Sequence, residues 1–270
     1  TVAIGYQAGL SITSGAGNTA IGYLAMATST VNHSNVAIGY AAMRYSNGSE
    51  SQNVAIGYEA GTSMDNNDSS KSILIGYRAG KGGTGEIDRC VVIGDGAMDG
   101  TGAVGAQQNI FIGNDAGGGT WTTAASNSNV AIGATAMSAA LNGALGNTAL
   151  GHDTLKAVTT GDYNVAVGHQ AGDAITTGAG NVAIGRAALS SEDTNGGNVA
   201  VGRFAGVNNK ATGNIYVGYN TGYYNVSGIE NVIIGYESAA QTVGNVNFRN
   251  VTTLGSNAGR FATGSYNTFL

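Results

Sequence analysis

The sequence predicts an all-β fold, a parallel β-roll or β-solenoid of about fifteen coils of 16–20 residues each. Three observations predict it. A motif of the form Asn-Val-Ala-Ile-Gly returns along the chain, as at 18–22, 35–39, 53–57, 164–168, 198–202 and 231–235. Its glycine keeps a regular beat, at Gly5, Gly22, Gly39, Gly57, Gly76, Gly94, Gly113, Gly133, Gly151, Gly168, Gly185, Gly202, Gly218, Gly235 and Gly255. The chain also holds 46 Gly and no Pro, with only 10% charged residues, against roughly 25% in ordinary soluble domains. A backbone that commits its N–H groups to ladders has reason to exclude Pro, and Gly at this level without Pro is not collagen-like.

The strand comes first in each coil. Three residues before the glycine stands Val, Ile or Thr, and one residue before it Ile, Leu or Val. Side chains alternate along a strand, so these two share a face, and the residue between them, most often Ala, takes the other. The large apolar side chains, Val54 and Ile56 for example, are expected to supply the core, and the Ala face to admit a partner. Four before the glycine, Asn fills twelve of sixteen places. It can turn the chain and, stacked coil on coil, form an amide ladder.

After the glycine come the corners. The third residue is Ala in twelve of fifteen repeats, which implies close approach of another backbone. The fourth is Gly, or else Met or Leu as at Met26, Met43 and Leu189, read as an apolar plug, with Ala239 the single exception. The rest of each coil is polar and rich in Thr and Ser, as at 157–164 and 173–181, and predicts a second strand that turns through Gly back to Asn.

One apolar strand per coil makes a thin interior. Coils stacked at about 4.8 Å would build a rod of roughly 70 Å, too narrow to cover both faces of its own strands. Association of identical chains is the economical solution. Residues 1–270 read as a single repetitive domain. The chain opens at Thr1 inside the motif and stops at Leu270 one residue short of the next glycine. It is therefore expected to be a fragment of a longer fibrous protein, cut mid-repeat at both ends.

Other function classes find little support. The net charge is −5 and the Lys and Arg residues are scattered, whereas nucleic acid needs a dense basic footprint. No apolar run approaches the ~20 residues of a membrane span, so no membrane insertion is expected in this segment. Residues 100–105 fit G-x-G-x-x-G but lead into a strand rather than a helix, and 76–82 miss the phosphate-loop spacing. Cys90 is the single cysteine and permits no internal disulfide.

The spacing N-x-A-I-G-x-x-A resembles the left-handed parallel β-roll of trimeric autotransporter adhesin heads, the YadA-like head repeat. The longer form, NVAIGYEAG (53–61) followed by segments such as TTGAGN (176–181), is similar to the β-roll shafts of bacteriophage tail fibres. The resemblance covers the whole chain, departing from it in repeat length and at the irregular 249–255. It implies an intertwined or side-by-side homotrimeric rod, with apolar strands near the three-fold axis. It further implies an extracellular virion fibre, which spaces or presents a region binding a host-surface glycan or protein receptor and joins other fibre or tail proteins. The alternative it offers is the head of a bacterial surface adhesin. A third reading, the left-handed hexapeptide-helix acyltransferase with a His base, needs a six-residue beat that these repeats lack.

Candidate contact residues stand just after the motif glycine. The series runs Tyr6, Tyr23, Tyr40, Tyr58, Tyr77, Asp95, Asn114, Ala134, His152, His169, Arg186, Arg203, Tyr219, Tyr236 and Ser256. On stacked coils this is one longitudinal stripe, which can serve as a receptor-binding ladder through Tyr58, Tyr77, His152 and His169. The plainer reading is ring stacking that stiffens the coil or seals an interface. A metal needs more than a pair of His, so no metal, no cofactor and no catalytic residue is expected. The longest connections fall between 57 and 133 and hold the only Trp, Trp121; insertions in solenoids often form a binding face.

Overall fold

The computed structural model describes residues 1–46, 48–64, 69–240, 249–261 and 264–270. Among them the chain is all-β, a parallel solenoid without a helix, and it divides into two compact units, Thr1–Ala144 and Leu145–Leu270. The first unit carries β1 (Val2–Ile4), β2 (Thr19–Ile21), β3 (Val36–Ile38), β4 (Val54–Ile56), β5 (Ile73–Ile75), β6 (Ile87–Asp88), β7 (Val91–Ile93), β8 (Ala106–Gln107), β9 (Ile110–Ile112) and β10 (Val130–Ile132). The second carries β11 (Thr148–Leu150), β12 (Val165–Val167), β13 (Val182–Ile184), β14 (Val199–Val201), β15 (Ile215–Val217), β16 (Val232–Ile234), β17 (Thr252–Leu254) and β18 (Thr268–Phe269). Within each unit the motif strand pairs in parallel with the next, in strict register: Val36 lies beside Val54, Ala37 beside Ala55, Ile38 beside Ile56. The three residues before each motif glycine are the strand, as the alternation predicts.

Which face lies inside is the reverse of the expectation. Ala20, Ala37, Ala55, Ala131, Ala183 and Ala200 are buried within their coils. Val and Ile of the same strands point outward, and Ile73, Ile132, Val165, Val167, Ile184 and Ile215 are each more than a third exposed. The reason is volume. A coil of about 18 residues encloses room for one column of mid-strand side chains, a plug and an amide, and two β-branched columns do not fit.

The interior keeps its volume by exchange between two positions. Where the mid-strand residue is Ala, the plug is often large: Ala20 goes with Met26, Ala37 with Met43, Ala131 with Met137, Ala183 with Leu189, and all four plugs are buried. Where it is Leu74, Phe111 or Tyr216, the plug is Gly, while Val92 goes with Met98 and Ile233 with Ala239. A Cβ on Gly80 would meet Leu74 at 2.7 Å, one on Gly117 the Phe111 ring at 3.0 Å, and one on Gly222 the Tyr216 ring at 2.2 Å. Where both are small, the polar arm fills the gap: Met64 approaches Gly61 and Ile175 approaches Gly172. Interiors are close-packed, so a methyl group too many or too few is felt.

The Asn column forms the predicted amide ladder. In the first unit Asn18 Oδ1 accepts the Asn35 N–H at 3.0 Å, and Asn35 Oδ1 the Asn53 N–H at 2.8 Å. In the second, Asn147, Asn164, Asn181, Asn198 and Asn214 each accept the N–H of the next Asn at 2.9–3.1 Å. The amide group donates across its own coil, as from Asn164 Nδ2 to Gly178 O at 2.8 Å. These buried side chains thereby satisfy backbone groups that the narrow interior shuts away from water. Ser72 substitutes through its hydroxyl, which accepts the Cys90 N–H at 3.1 Å and donates to Ile87 O at 3.2 Å.

The glycines that set the beat form a second column. Gly57 holds φ +139°, and a Cβ there would lie 2.2 Å from the carbonyl oxygen of Gly76 in the next coil. Corners use left-handed residues. In one coil these are Leu24 (φ 58°), Met26 (φ 50°) and Ser34 (φ 57°). These bends account for a second departure from the expectation. The polar arm forms no long second strand among the described residues, only the β6–β8 pair and bridges at His33–Ser51 and Ser51–Ser70. Its threonines hold the coils together instead, as Thr28 Oγ1 does by donating to Arg44 O at 2.7 Å.

Candidate functional surface

The residue after each motif glycine lies on the outward face, beside the Val and Ile side chains. Parallel pairing in register places it directly over its counterpart one coil away. In the first unit Tyr6, Tyr23, Tyr40, Tyr58 and Tyr77 therefore stack, with ring centroids 4.9–5.2 Å apart and planes within 6–12°. All five rings are exposed at their edges. Tyr23, Tyr40 and Tyr58 carry a ring on each face, so between the end rings Tyr6 and Tyr77 the column presents ring edges and hydroxyls, and a sugar ring has no room to stack between them. Tyr219 and Tyr236 stack likewise in the second unit, at 5.2 Å.

Glu59, beside Tyr58, is engaged in ion pairs. Its carboxylate meets Lys81 Nζ at 2.8 Å and Arg78 Nε at 3.3 Å. The hydrogen bond from Lys81, and after it that from Arg78, holds its carboxyl below the usual range against the opposing effect of burial. The pair links neighbouring coils beside the tyrosine column.

In the second unit the stripe becomes histidine. His152 follows Gly151 at the end of β11, and His169 follows Gly168 at the end of β12. Their rings stack at 5.3 Å with planes 10° apart, and both are exposed. Sequence reasoning missed the third group here. Asp153 takes the left-handed corner (φ 55°), which turns its buried carboxylate to within 3.0 Å of His152 Nδ1, while Lys156 Nζ reaches it at 2.9 Å. The signal was present, since corner positions accept Asp at low strain. Further along, Arg203 lies 4.6 Å from the Phe204 ring centre and 5.8 Å from that of Tyr219, within cation–π range.

Trp121 does not join this surface. Its indole is fully buried and packs edge-on to Phe111 at 6.0 Å. It fills the interior of its coil, so the ring offers nothing to a receptor. Of the long connections, 65–68 lie outside the described residues. Met64 and Ile87, in the described parts of two of them, are buried core.

The dominant feature of the surface is the ribbon of outward strand side chains. In the first unit it runs through Val2, Ile4, Ile73, Ile110 and Ile132, flanked by the tyrosine column; in the second through Leu150, Val165, Val167, Ile184, Ile215 and Leu254. Monomeric proteins rarely expose a contiguous apolar row of this kind. No protein-family model, curated protein or solved structure matches the chain.

Proposed function

We propose that the chain is a structural, non-enzymatic segment of a homotrimeric bacteriophage tail fibre that spaces or presents a host-receptor-binding region. The observation that supports the reading is the Val and Ile ribbon. The interior of each coil is already full, so this row finds cover only against other chains. At roughly 100 Å² of apolar surface per coil, a few coils expose more than the few hundred Å² that a monomer usually tolerates. Eight or so coils approach the ~800 Å² per partner of a stable interface. Closed cyclic association covers such a row with identical rows.

Sedimentation of the tag-free chain tests the reading. A trimer is expected, and a stable monomer overturns it. The full-length gene separates a fibre from a surface adhesin. A signal peptide together with a C-terminal membrane barrel would move the assignment to the adhesin head.

A further inference from the structure

We infer that His152, Asp153 and His169 form a zinc site, with one coordination position left to water. The site is independent of the fibre reading and departs from the sequence-based expectation of no metal. One donor atom from each of the three residues lies within 4.8 Å of the other two. A tetrahedral zinc ion with bonds of about 2.0–2.1 Å needs donors about 3.3 Å apart. The difference is about 1.5 Å, which rotation of two exposed imidazoles supplies.

The fold fixes what must be fixed. The ends of β11 and β12 are in register, with Leu150 beside Val167, and the Gln170 N–H bonds His152 O at 3.0 Å. The two histidine backbones are thus pinned one strand spacing apart. Asp153 is buried and carries its carboxylate from the corner to 3.0 Å from His152 Nδ1. The opposing charges are Lys156, whose side chain is half exposed and can swing into water, and Arg186, which follows His169 in the stripe one coil further on. A second carboxylate, Asp173, is held above the usual range by burial first and then by the charge of Asp153, against that of Lys156. Its Oδ1 is buried with no hydrogen-bond partner among the described residues.

The donor chemistry selects the ion. Two imidazoles and one carboxylate suit zinc and the late first-row divalent ions. Calcium and magnesium take six or more oxygen donors, which the cluster does not offer. The remaining histidine, His33, lies in the other unit and accepts the Ala16 N–H through Nδ1 at 3.2 Å. It serves as an internal control.

The test is calorimetric titration of zinc chloride into tag-free chain stripped with a chelator, with calcium chloride as the comparison. One zinc per chain and no calcium are expected. His152→Ala and His169→Ala should each weaken zinc binding about 10-fold or more, and His33→Ala should leave it unchanged. Cobalt absorption gives a second readout: the bands of a four-coordinate ion should appear in the parent chain and vanish in His169→Ala at unchanged circular dichroism. Absence of saturable zinc binding overturns the site, and so does binding that survives in the His152→Ala/His169→Ala double variant.

Discussion

Gly202 and Gly197 lie five residues apart in one coil and separate two reasons for needing glycine. Gly202 holds φ +134°, and a Cβ there would stand 2.3 Å from the carbonyl oxygen and 2.7 Å from the carbonyl carbon of Gly218. Gly197 holds φ +70°, with nothing within 4 Å of its would-be Cβ. Gly197→Ala therefore meets only backbone strain, about 1–2 kcal/mol. Gly202→Ala meets strain of about 1–3 kcal/mol and overpacking of about 1–3 kcal/mol, together about 2–6 kcal/mol. The clash is with backbone, so no rotamer relieves it and the coils must part. That breaks the bond from the Gly218 N–H to Val201 O, now 2.8 Å. Solenoid stability is a sum of local terms, so the damage should be local and visible by hydrogen exchange. Protection of peptides spanning 198–220 should fall by about 30-fold or more for Gly202→Ala, and by no more than that for Gly197→Ala. Equal losses for the two variants would refute the carbonyl clash as the reason for the column.

Other perturbations address the ladder, the ribbon and a buried carboxylate. Asn181→Ala removes the acceptor of the Asn198 N–H at 3.0 Å and the donor to Asn195 O at 3.0 Å. It should cost about 2–4 kcal/mol in chemical denaturation; a loss under about 1 kcal/mol would show that water replaces the amide. Val167→Glu combined with Ile184→Glu places charge on the outward row without touching the interior. Sedimentation should then report monomer at unchanged β-sheet circular dichroism, whereas a persisting trimer would place the interface elsewhere. Glu192 accepts the Asp193 and Asn195 N–H groups at 3.1 and 2.9 Å, and Asn209 Nδ2 at 2.7 Å. Glu192→Gln turns a donor toward one of these groups and should destabilise by about 1–3 kcal/mol at neutral pH, although it removes a buried charge. Burial holds the Glu192 carboxyl above its usual range against its hydrogen bonds. Its contribution to stability is therefore full below the ordinary carboxylate range and is lost as pH rises through the raised value. The gap in denaturation midpoint between wild type and variant should widen on acidification, and a narrowing gap would reverse the assigned direction.

Much of this was legible in the residues. The beat of Gly marked every coil, the three residues before it were the strands, and the Asn column was an amide ladder because a buried amide both accepts and donates. Which strand face is interior was not legible from hydrophobicity, because Val54 and Ile56 outrank Ala55 on any apolar scale. The answer lay in pairs of positions: Phe111 with Gly117, Tyr216 with Gly222, Leu74 with Gly80, Ala37 with Met43. Such compensation occurs only between side chains that share one closed volume, and it puts the mid-strand residue inside with the plug. Trp121 was misjudged for a related reason. Composition cannot show whether a lone aromatic covers a coil or fills it. The third member of the histidine cluster was missed because Asp153 neighbours His152 in sequence, where alternation alone would turn it away. Only the left-handed corner brings it back.

The amide ladder and the glycine column are both relations between one coil and the next, made by the same atoms each time. Asn181 bonds the Asn198 N–H, and Asn198 in turn bonds that of Asn214; Gly185 faces the carbonyl of Gly202, and Gly202 that of Gly218. Excising residues 182–198 would join Asn181 to Val199 and leave every such relation with an equivalent partner. Length is therefore a quantity this sequence can change in whole coils, each worth one strand spacing of about 4.8 Å, while a change by part of a coil breaks both columns at once. A gene built this way sets a distance by copy number, and recombination between its own repeats is enough to reset it.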